Sequence, residues 1–263
     1  MTEQTTFESL ELEAHLLDRL DALNYEFATP VQAMAIPPAI EGKDVLATAR
    51  TGTGKTAAFV LPILQTHRAG VIICPTRELA LQVVTEIERL SGLDNIATAL
   101  IGGASMKKQI QQLNEWPDAI LVATPGRICD HMERGNVDLS QYDVLVLDEA
   151  DEMLNMGFQD AIDEILETAS EDRNTWLYSA TMPKAVAKIA SNYMKDPVEV
   201  TCGTKNQAAI TVEHEYYLID NRDRYRTLRR IVDSCPGIYA IIFCRTRAET
   251  QNVAERLMAD GYN

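Results

Sequence analysis

The feature that most restricts the fold is the stretch Ala47-Thr48-Ala49-Arg50-Thr51-Gly52-Thr53-Gly54-Lys55-Thr56. An apolar run, Val45-Leu46-Ala47, leads into it and predicts a buried strand. Thr56-Ala57-Ala58-Phe59-Val60-Leu61 leads out with a helical pattern. Strand, glycine loop, helix is the context a phosphate-binding loop requires. Glycines let successive N–H groups turn inward around phosphate oxygens, and the new helix adds its positive N-terminal end. In such a loop Lys55 reaches the β- and γ-phosphates and the Thr56 hydroxyl holds Mg²⁺. The usual G-x-x-x-x-G-K-T spacing would put a glycine at 49, where this chain has Ala49, so the stretch reads A-x-T-G-x-G-K-T. A plain glycine turn before an ordinary helix is the alternative, and the flanking pattern speaks against it.

The rest of the chain repeats this alternation. Short apolar runs at Val71–Cys74, Ile96–Ile101, Ala119–Ala123, Val144–Leu147 and Thr175–Tyr178 predict strands. Helical spacing covers 8–22, Arg77–Leu90, Lys107–Leu113, the stretch after Arg127 to Met132, Asp160–Ala169 and Lys184–Met194. Thr29 can cap a further helix with Pro30 at its first position, ending near Ile36-Pro37-Pro38. Continuous apolar strands between amphipathic helices mean a parallel sheet covered on both faces, an α/β doubly wound fold. Such sheets bind ligands at the carboxyl ends of their strands, where every unusual polar tetrapeptide of this sequence falls. The apolar pattern lapses around Thr201–Ala209, which predicts a linker. A second α/β unit then begins, with strands at Glu215–Ile219 and Tyr239–Phe243 and helices at Arg224–Val232 and Ala248–Met258.

Composition narrows the class. The chain has 263 residues, 46% of them hydrophobic, so a sizeable core is available. No apolar run approaches the 18 or so residues of a membrane span, and the polar Met1-Thr2-Glu3-Gln4 start does not resemble a signal peptide. Cys74, Cys129, Cys202, Cys235 and Cys244 are widely spaced with no C-x-x-C pair, which fits a reducing cytoplasm. The net charge of −15 argues against a broad, non-specific nucleic-acid binder but leaves room for a local basic groove. Residues 212–263 balance eight arginines against eight acidic residues, so the excess acid lies in the first 211. His15, His67, His131 and His214 show no ligand spacing and are read as surface residues, and Trp116 and Trp176 as packing.

The acidic partner of the phosphate loop is Asp148-Glu149, directly after the Val144–Leu147 run. Asp148 is placed to hold Mg²⁺, and Glu149 to orient and deprotonate an attacking water. Asp148-Glu149-Ala150-Asp151 spells the motif that names the DEAD-box RNA helicases, and the remaining motifs resemble that family in its own order. Phe7, then Asn24 to Gln32, resembles its adenine-recognising Q motif, and Ala49–Thr56 its motif I. Pro75-Thr76-Arg77-Glu78-Leu79-Ala80, Gly102-Gly103 and Thr124-Pro125-Gly126-Arg127 resemble motif Ia, the glycine pair and motif Ib. Ser179-Ala180-Thr181 resembles motif III, and Ile241–Thr246 motif IV. The similarity is greatest to the bacterial subgroup linked to cold adaptation and ribosome assembly.

The resemblance implies an ATP-dependent RNA helicase with a RecA-like first domain (1–204), a linker (205–211) and a truncated second RecA-like domain (212–263). It implies that Phe7, Tyr25, Thr29 and Gln32 hold adenine, Gln32 through its paired donor and acceptor. It implies that Ala49, Arg50, Thr51, Gly52, Thr53, Gly54, Lys55 and Thr56 hold the phosphates and, with Asp148, Mg²⁺. Pro75, Thr76, Arg77, Gly102, Gly103, Thr124, Pro125, Gly126 and Arg127 are then RNA-backbone contacts that read no bases. Asp151, Ser179 and Thr181 couple the two sites. Ribosome-assembly or RNA-decay proteins are the implied partners, with no membrane. Asn24 and Ala28 depart from the Gly and Pro usual in the Q motif, which weakens that loop, and the Leu64–Val71 connection is short. The chain stops at Asn263, before the family's motifs V and VI and their arginine fingers, so it is expected to bind ATP and to hydrolyse it poorly by itself. A DNA helicase of the same superfamily and an ATP-gated RNA clamp are the rival readings; the intact Glu149 favours turnover over the clamp.

Overall fold

The structure, a computed structural model, describes residues 5–202, 215–235 and 237–262. The expected linker 205–211 and His214 lie outside them. By backbone contacts the chain divides into two units, 1–207 and 208–263.

The first unit is built from α1 (Ala14–Ala22), α2 (Pro30–Ile40), β1 (Val45–Thr48), α3 (Lys55–Thr66), β2 (Gly70–Ile73) and α4 (Arg77–Ser91). It continues with β3 (Ala97–Leu100), α5 (Met106–Glu115), β4 (Ile120–Ala123), α6 (Pro125–Glu133), β5 (Val144–Asp148) and α7 (Ala150–Asn155). It ends with α8 (Gln159–Thr168), β6 (Asn174–Ser179), α9 (Lys184–Tyr193) and β7 (Val198–Thr201). The strands form one parallel seven-stranded sheet in the order β3-β4-β2-β5-β6-β1-β7. Successive side chains of a strand point to opposite faces, so each strand feeds two cores. Val45, Ala47, Ile72, Val144, Val146, Trp176 and Tyr178 pack with α1 to α4. Leu46, Val71, Ile73, Leu145, Leu147 and Leu177 pack with α6 to α9. This is why the central strands are apolar without alternation. Helix α3 carries nine buried residues in its first ten, because it lies between the sheet, α2 and α4.

Several boundaries differ from expectation. The helix expected over 8–22 is a short 3-10 turn at Phe7–Leu10 followed by α1. Glu11 takes a left-handed backbone (φ 57°) that breaks the path, and the break lets Phe7, Leu10 and Leu12 all bury. Helix α2 runs through Pro37 and Pro38 to Ile40; Ala35, Ile36 and Ala39 are buried along it, and the Pro37 and Pro38 carbonyls are capped by the Glu41 and Lys43 N–H groups. Neither β7 nor the six-residue α7 is apparent in the sequence, β7 because only Val198 and Val200 mark it.

In the second unit the two expected helices are α10 (Arg224–Ser234) and α11 (Arg247–Ala259). They are joined by Tyr225 Oη donating to Asp260 at 2.7 Å, by the Arg224–Glu249 pair at 3.1 Å and by Arg256 over the Tyr225 ring. The two expected strands are a correction: 215–219 and 239–243 form no strand. A strand exists only through ladder bonds to a neighbour, and these segments leave Leu218 92% and Phe243 90% exposed instead.

At the amino ends of the strands, buried Asp44 ties three segments together. It accepts the Thr175 N–H at 2.8 Å, the Lys195 N–H at 2.7 Å and the Asn174 side-chain amide at 3.4 Å. Asp44→Ala should therefore lower unfolding free energy by about 2–4 kcal/mol, since it strands buried donors. Urea denaturation checks this, and a loss below about 1 kcal/mol would show that these donors find other partners.

Candidate functional site

Each unusual motif leaves the carboxyl end of a strand: Ala49 after β1, Cys74-Pro75 after β2, Ile101-Gly102 after β3, Thr124 after β4, Asp148 at the end of β5 and Ser179 at the end of β6. The sheet order separates them into two groups. Over β5, β6 and β1 lies the phosphate loop with its acids; over β3, β4 and β2 lie the glycine pair and the two threonine-led turns.

A cleft of about 510 Å³ opens over the first group, lined by Tyr25, Phe27, Thr29, Gln32, Thr51 to Ala57, Leu79, Gln82, Val83, Glu86, Asp148 and Glu149. Gly52 and Gly54 take left-handed backbones (φ 81° and 89°), which a β-carbon would strain. Helix α3 starts at Lys55, so its free N–H groups face the cleft. Lys55 and Asp148 are both buried, yet among the described residues neither Lys55 Nζ nor Asp148 Oδ1 has a hydrogen-bond partner. Burial pushes the Asp148 carboxyl up to about 6 against the pull of the Lys55 cation. Glu149 sits at a left-handed residue (φ 54°) and accepts a hydrogen bond from Thr51 Oγ1 at 3.3 Å. Ala49 and Arg50 lie outside the cleft lining. Ala49 donates its N–H to Ser179 at 3.0 Å without a left-handed backbone, so no glycine is needed there. The Arg50 carbonyl accepts the Thr53 hydroxyl at 2.7 Å.

On the far side of the cleft, Thr29 and Gln32 form a reciprocal cap on α2. Gln32 is 2% exposed; its Oε1 accepts the Thr29 N–H at 2.9 Å and its Nε2 donates to the Gly54 carbonyl at 3.1 Å. The amide is thus a latch onto the phosphate loop, with one hydrogen and one lone pair left over for a ligand. A side chain at Gly54 would collide with it. Phe7 is buried, absent from the cleft lining, and backs the Tyr25 ring edge-on at 6.1 Å. Phe27, 40% exposed, is the aromatic that reaches the cleft beside Tyr25. Tyr25 is fixed by Glu86 and Arg89, and Leu79, Gln82, Val83 and Glu86 form the wall from α4. Their i, i+3, i+4, i+7 spacing was visible in the sequence, but nothing there told this face from the buried one. The Q-motif departures are accommodated. Asn24 adopts φ 59°, tolerable for Asn, and Ala28 uses the N–H that Pro lacks to bond Thr5 at 2.8 Å.

In the second group, Thr76 caps α4 through its side chain, and Arg77 is exposed with its guanidinium against Gly102 and Gly103. The glycines therefore make room for Arg77: a side chain at Gly103 would strike it. Pro75 is buried, Thr124 nearly so with a hydroxyl that caps nothing, and Gly126 is open. Arg127 turns inward, donating to the Ala104 carbonyl at 3.1 Å and to Gln109 Oε1 at 2.9 Å. His131 is a correction: it is fully buried beside Gln109, where surface exposure was expected.

Between the groups, Asp151 accepts Thr181 Oγ1 at 2.6 Å and the Thr181 N–H at 2.9 Å, while Ser179 Oγ accepts the Asp151 N–H at 3.3 Å. Burial would raise the Asp151 carboxyl, but the bonds from Thr181, Ser179 and Ala180 outweigh it and hold the group below its ordinary value. Folding is thereby favoured at neutral pH, and that contribution is lost as pH falls through the ordinary carboxylate range toward the lowered value. Thr181→Val should move this carboxyl upward, read from the Asp151 carboxyl carbon in an NMR titration. An unmoved midpoint would remove Thr181 from the network.

A DEAD/DEAH box helicase family model matches residues 29–189. The ATP-dependent RNA helicase CshA of Limosilactobacillus reuteri is 40% identical over 264 residues, covering 98% of this chain and 53% of that protein. The DEAD-box ATP-dependent RNA helicase CshA of Bacillus subtilis (strain 168) is 38% identical, covering 98% and 53%. The chain thus spans about half the length of the curated relatives it matches. Among solved structures, a DEAD box protein from the hyperthermophile Methanococcus jannaschii superposes with a TM-score of 0.71 at 34% identity, over 97% of this chain and 70% of that one. A hypothetical ATP-dependent RNA helicase from Sulfolobus tokodaii gives 0.69 at 32%, over 93% and 72%. With a family model matched from the capping threonine of α2 to the middle of α9, and the motifs gathered on one edge of a RecA-like sheet, this chain belongs to the DEAD/DEAH box helicase family.

Proposed function

We propose that this chain carries the ATP site and one RNA-binding face of an ATP-dependent RNA helicase of the cytoplasm. Residues 1–204 are its first RecA-like domain and 212–263 the start of a second. The observation that carries this reading is the buried, unpartnered pair Lys55 Nζ and Asp148 Oδ1 at the mouth of a glycine loop. A buried charge is costly unless something pairs with it, and phosphate with a divalent cation supplies both missing partners. The donor set fits Mg²⁺, an oxygen-seeking ion, with Thr56 and Asp148 holding it. Bound there, the ion offsets negative charge on the transferring phosphoryl group.

Lys55 draws the terminal phosphates against the N-terminus of α3. Gln32 offers its remaining donor and acceptor to the adenine edge, and Tyr25 and Phe27 its aromatic faces. Glu149 leaves Thr51 to orient the attacking water and accept its proton. Arg77, Thr76, Gly102, Gly103 and Thr124 form the face that meets RNA phosphates and sugars, with Arg127 turned inward behind it, which gives sequence-independent binding. Asp151 with Thr181 and Ser179 links this face to the ATP site. Binding of both ligands strains a duplex, and hydrolysis resets the cycle. Among the described residues lining the cleft there is no arginine, and an arginine finger is worth roughly 10³–10⁵ in rate. The 263-residue chain alone therefore binds ATP and turns it over slowly. Proteins of ribosome assembly or RNA decay are the proposed partners.

Lys55→Ala should abolish ATP binding in a titration while circular dichroism shows the fold intact, because among the described residues Lys55 Nζ has no hydrogen-bond partner. In a form of the protein long enough to show RNA-stimulated turnover, Glu149→Gln should bind both ligands and slow turnover by about two to four powers of ten. Unchanged ATP affinity in the first, or near-parental turnover in the second, would overturn the assignment.

A further inference from the structure

The glycine pair sits in a loop held from behind by Arg127 of the Thr124–Arg127 motif and by two polar residues outside the motifs, Gln109 and His131. Gln109, on α5, is 2% exposed, and its Nε2 donates to the Ile101 carbonyl at 3.0 Å, just before Gly102. Its Oε1 accepts from Arg127 Nη1 at 2.9 Å, and the same Arg127 nitrogen donates to the Ala104 carbonyl, just after Gly103. One glutamine thus controls both ends of the Ile101–Ala104 loop. The third partner is His131 on α6, whose Nε2 lies 3.0 Å from Gln109 Oε1.

The donor roles follow without ambiguity. The Ile101 carbonyl can only accept, so the Gln109 amide nitrogen faces it and the amide oxygen faces Arg127 and His131. His131 must then carry its proton on Nε2, leaving Nδ1 to accept from Asn136 Nδ2 at 3.5 Å. Burial, then the neighbouring Arg127 cation, lowers the His131 pKa, which favours the neutral ring. Both polar atoms of the Gln109 side chain and His131 Nε2 are directed at the loop or at its other holders, and His131 Nδ1 is directed at Asn136.

We propose that Gln109 and His131 are positioning residues that fix the Gly102–Gly103 loop in the shape that receives an RNA phosphate beside Arg77. The proposal rests on the reading of this face as the RNA-binding one. Gly103 is left-handed (φ 79°) and lies against the Arg77 guanidinium, so a loop free to move at Ile101 and Ala104 would lose the seat of that cation. Arg127 acts mainly through this bracket, since its guanidinium points into the protein.

The test measures binding of a single-stranded oligouridylate to the 263-residue chain by fluorescence anisotropy at low salt, and ATP binding separately by calorimetry. Gln109→Met keeps the volume and removes both bonds. RNA affinity should fall by about tenfold, as expected for the loss of a well-placed hydrogen-bonded contact, while ATP affinity stays within about twofold. Gln109→Glu retains the acceptor and should lie between the two. If Gln109→Met fails to fold, His131→Phe, without the donor, should weaken RNA binding, and His131→Gln, whose amide nitrogen replaces Nε2, should restore it. Unchanged RNA affinity in the folded variants, or equal losses for RNA and ATP, would overturn the proposal. Arg77→Ala separates the two readings. If parental binding is real and Arg77→Ala weakens it while the Gln109 and His131 variants do not, only the positioning role fails. If the parental chain binds no RNA, the RNA face itself is wrong and the proposal falls with it.

Discussion

The structure depends on placing Lys55 and Asp148 in the interior edge of a parallel sheet, where among the described residues neither Lys55 Nζ nor Asp148 Oδ1 has a hydrogen-bond partner. Nothing in the core requires a cation or an acid at those positions. Asp148 ends β5 and Lys55 opens α3 after β1, with β6 between the two strands. Most of the surrounding architecture serves to hold that pair open. Glycines at 52 and 54 allow the tight loop, Gln32 latches it to the start of α2, and Ala49 ties it to the end of β6. On the proposed reading, anionic oxygens and a metal ion supply what that pair lacks.

The second half of the sheet edge uses a different device. Its two arginines lie against backbone. Arg77 rests on the glycine pair, and Arg127 is turned inward to hold the same loop. That arrangement leaves one exposed guanidinium over the loop, which the proposed function assigns to a phosphate chain without sequence readout. With a net charge of −15, attraction to such a chain has to come from local geometry of this kind.

Much of this was legible in the sequence because parallel strands are buried on both faces and therefore spell themselves as uninterrupted apolar runs. Six of the seven strands follow from that rule; β7, an edge strand with only Val200 buried, does not. The phosphate loop and Asp148-Glu149 were legible because backbone chemistry demands those residue types at those spacings. What was not legible was direction. Phe7 and Phe27 are equally aromatic in the sequence, but only packing decides that Phe7 backs Tyr25 while Phe27 reaches the cleft. His131 and Gln109 carry no spacing signal, since their partnership is made across two helices and a strand end. The segments 215–219 and 239–243 look like strands by composition, but composition does not supply a neighbour to pair with.

The central claim is that the cleft between the glycine loop, α2 and α4 is completed by an adenine nucleotide with its metal ion. Calorimetric titration of the chain with ATP and with GTP, each with and without Mg²⁺, tests it most directly. The account predicts ATP binding that strengthens with Mg²⁺ and exceeds GTP binding, since Gln32 retains one donor and one acceptor that match the adenine edge. Absence of ATP binding, or equal affinity for both nucleotides regardless of Mg²⁺, would contradict it.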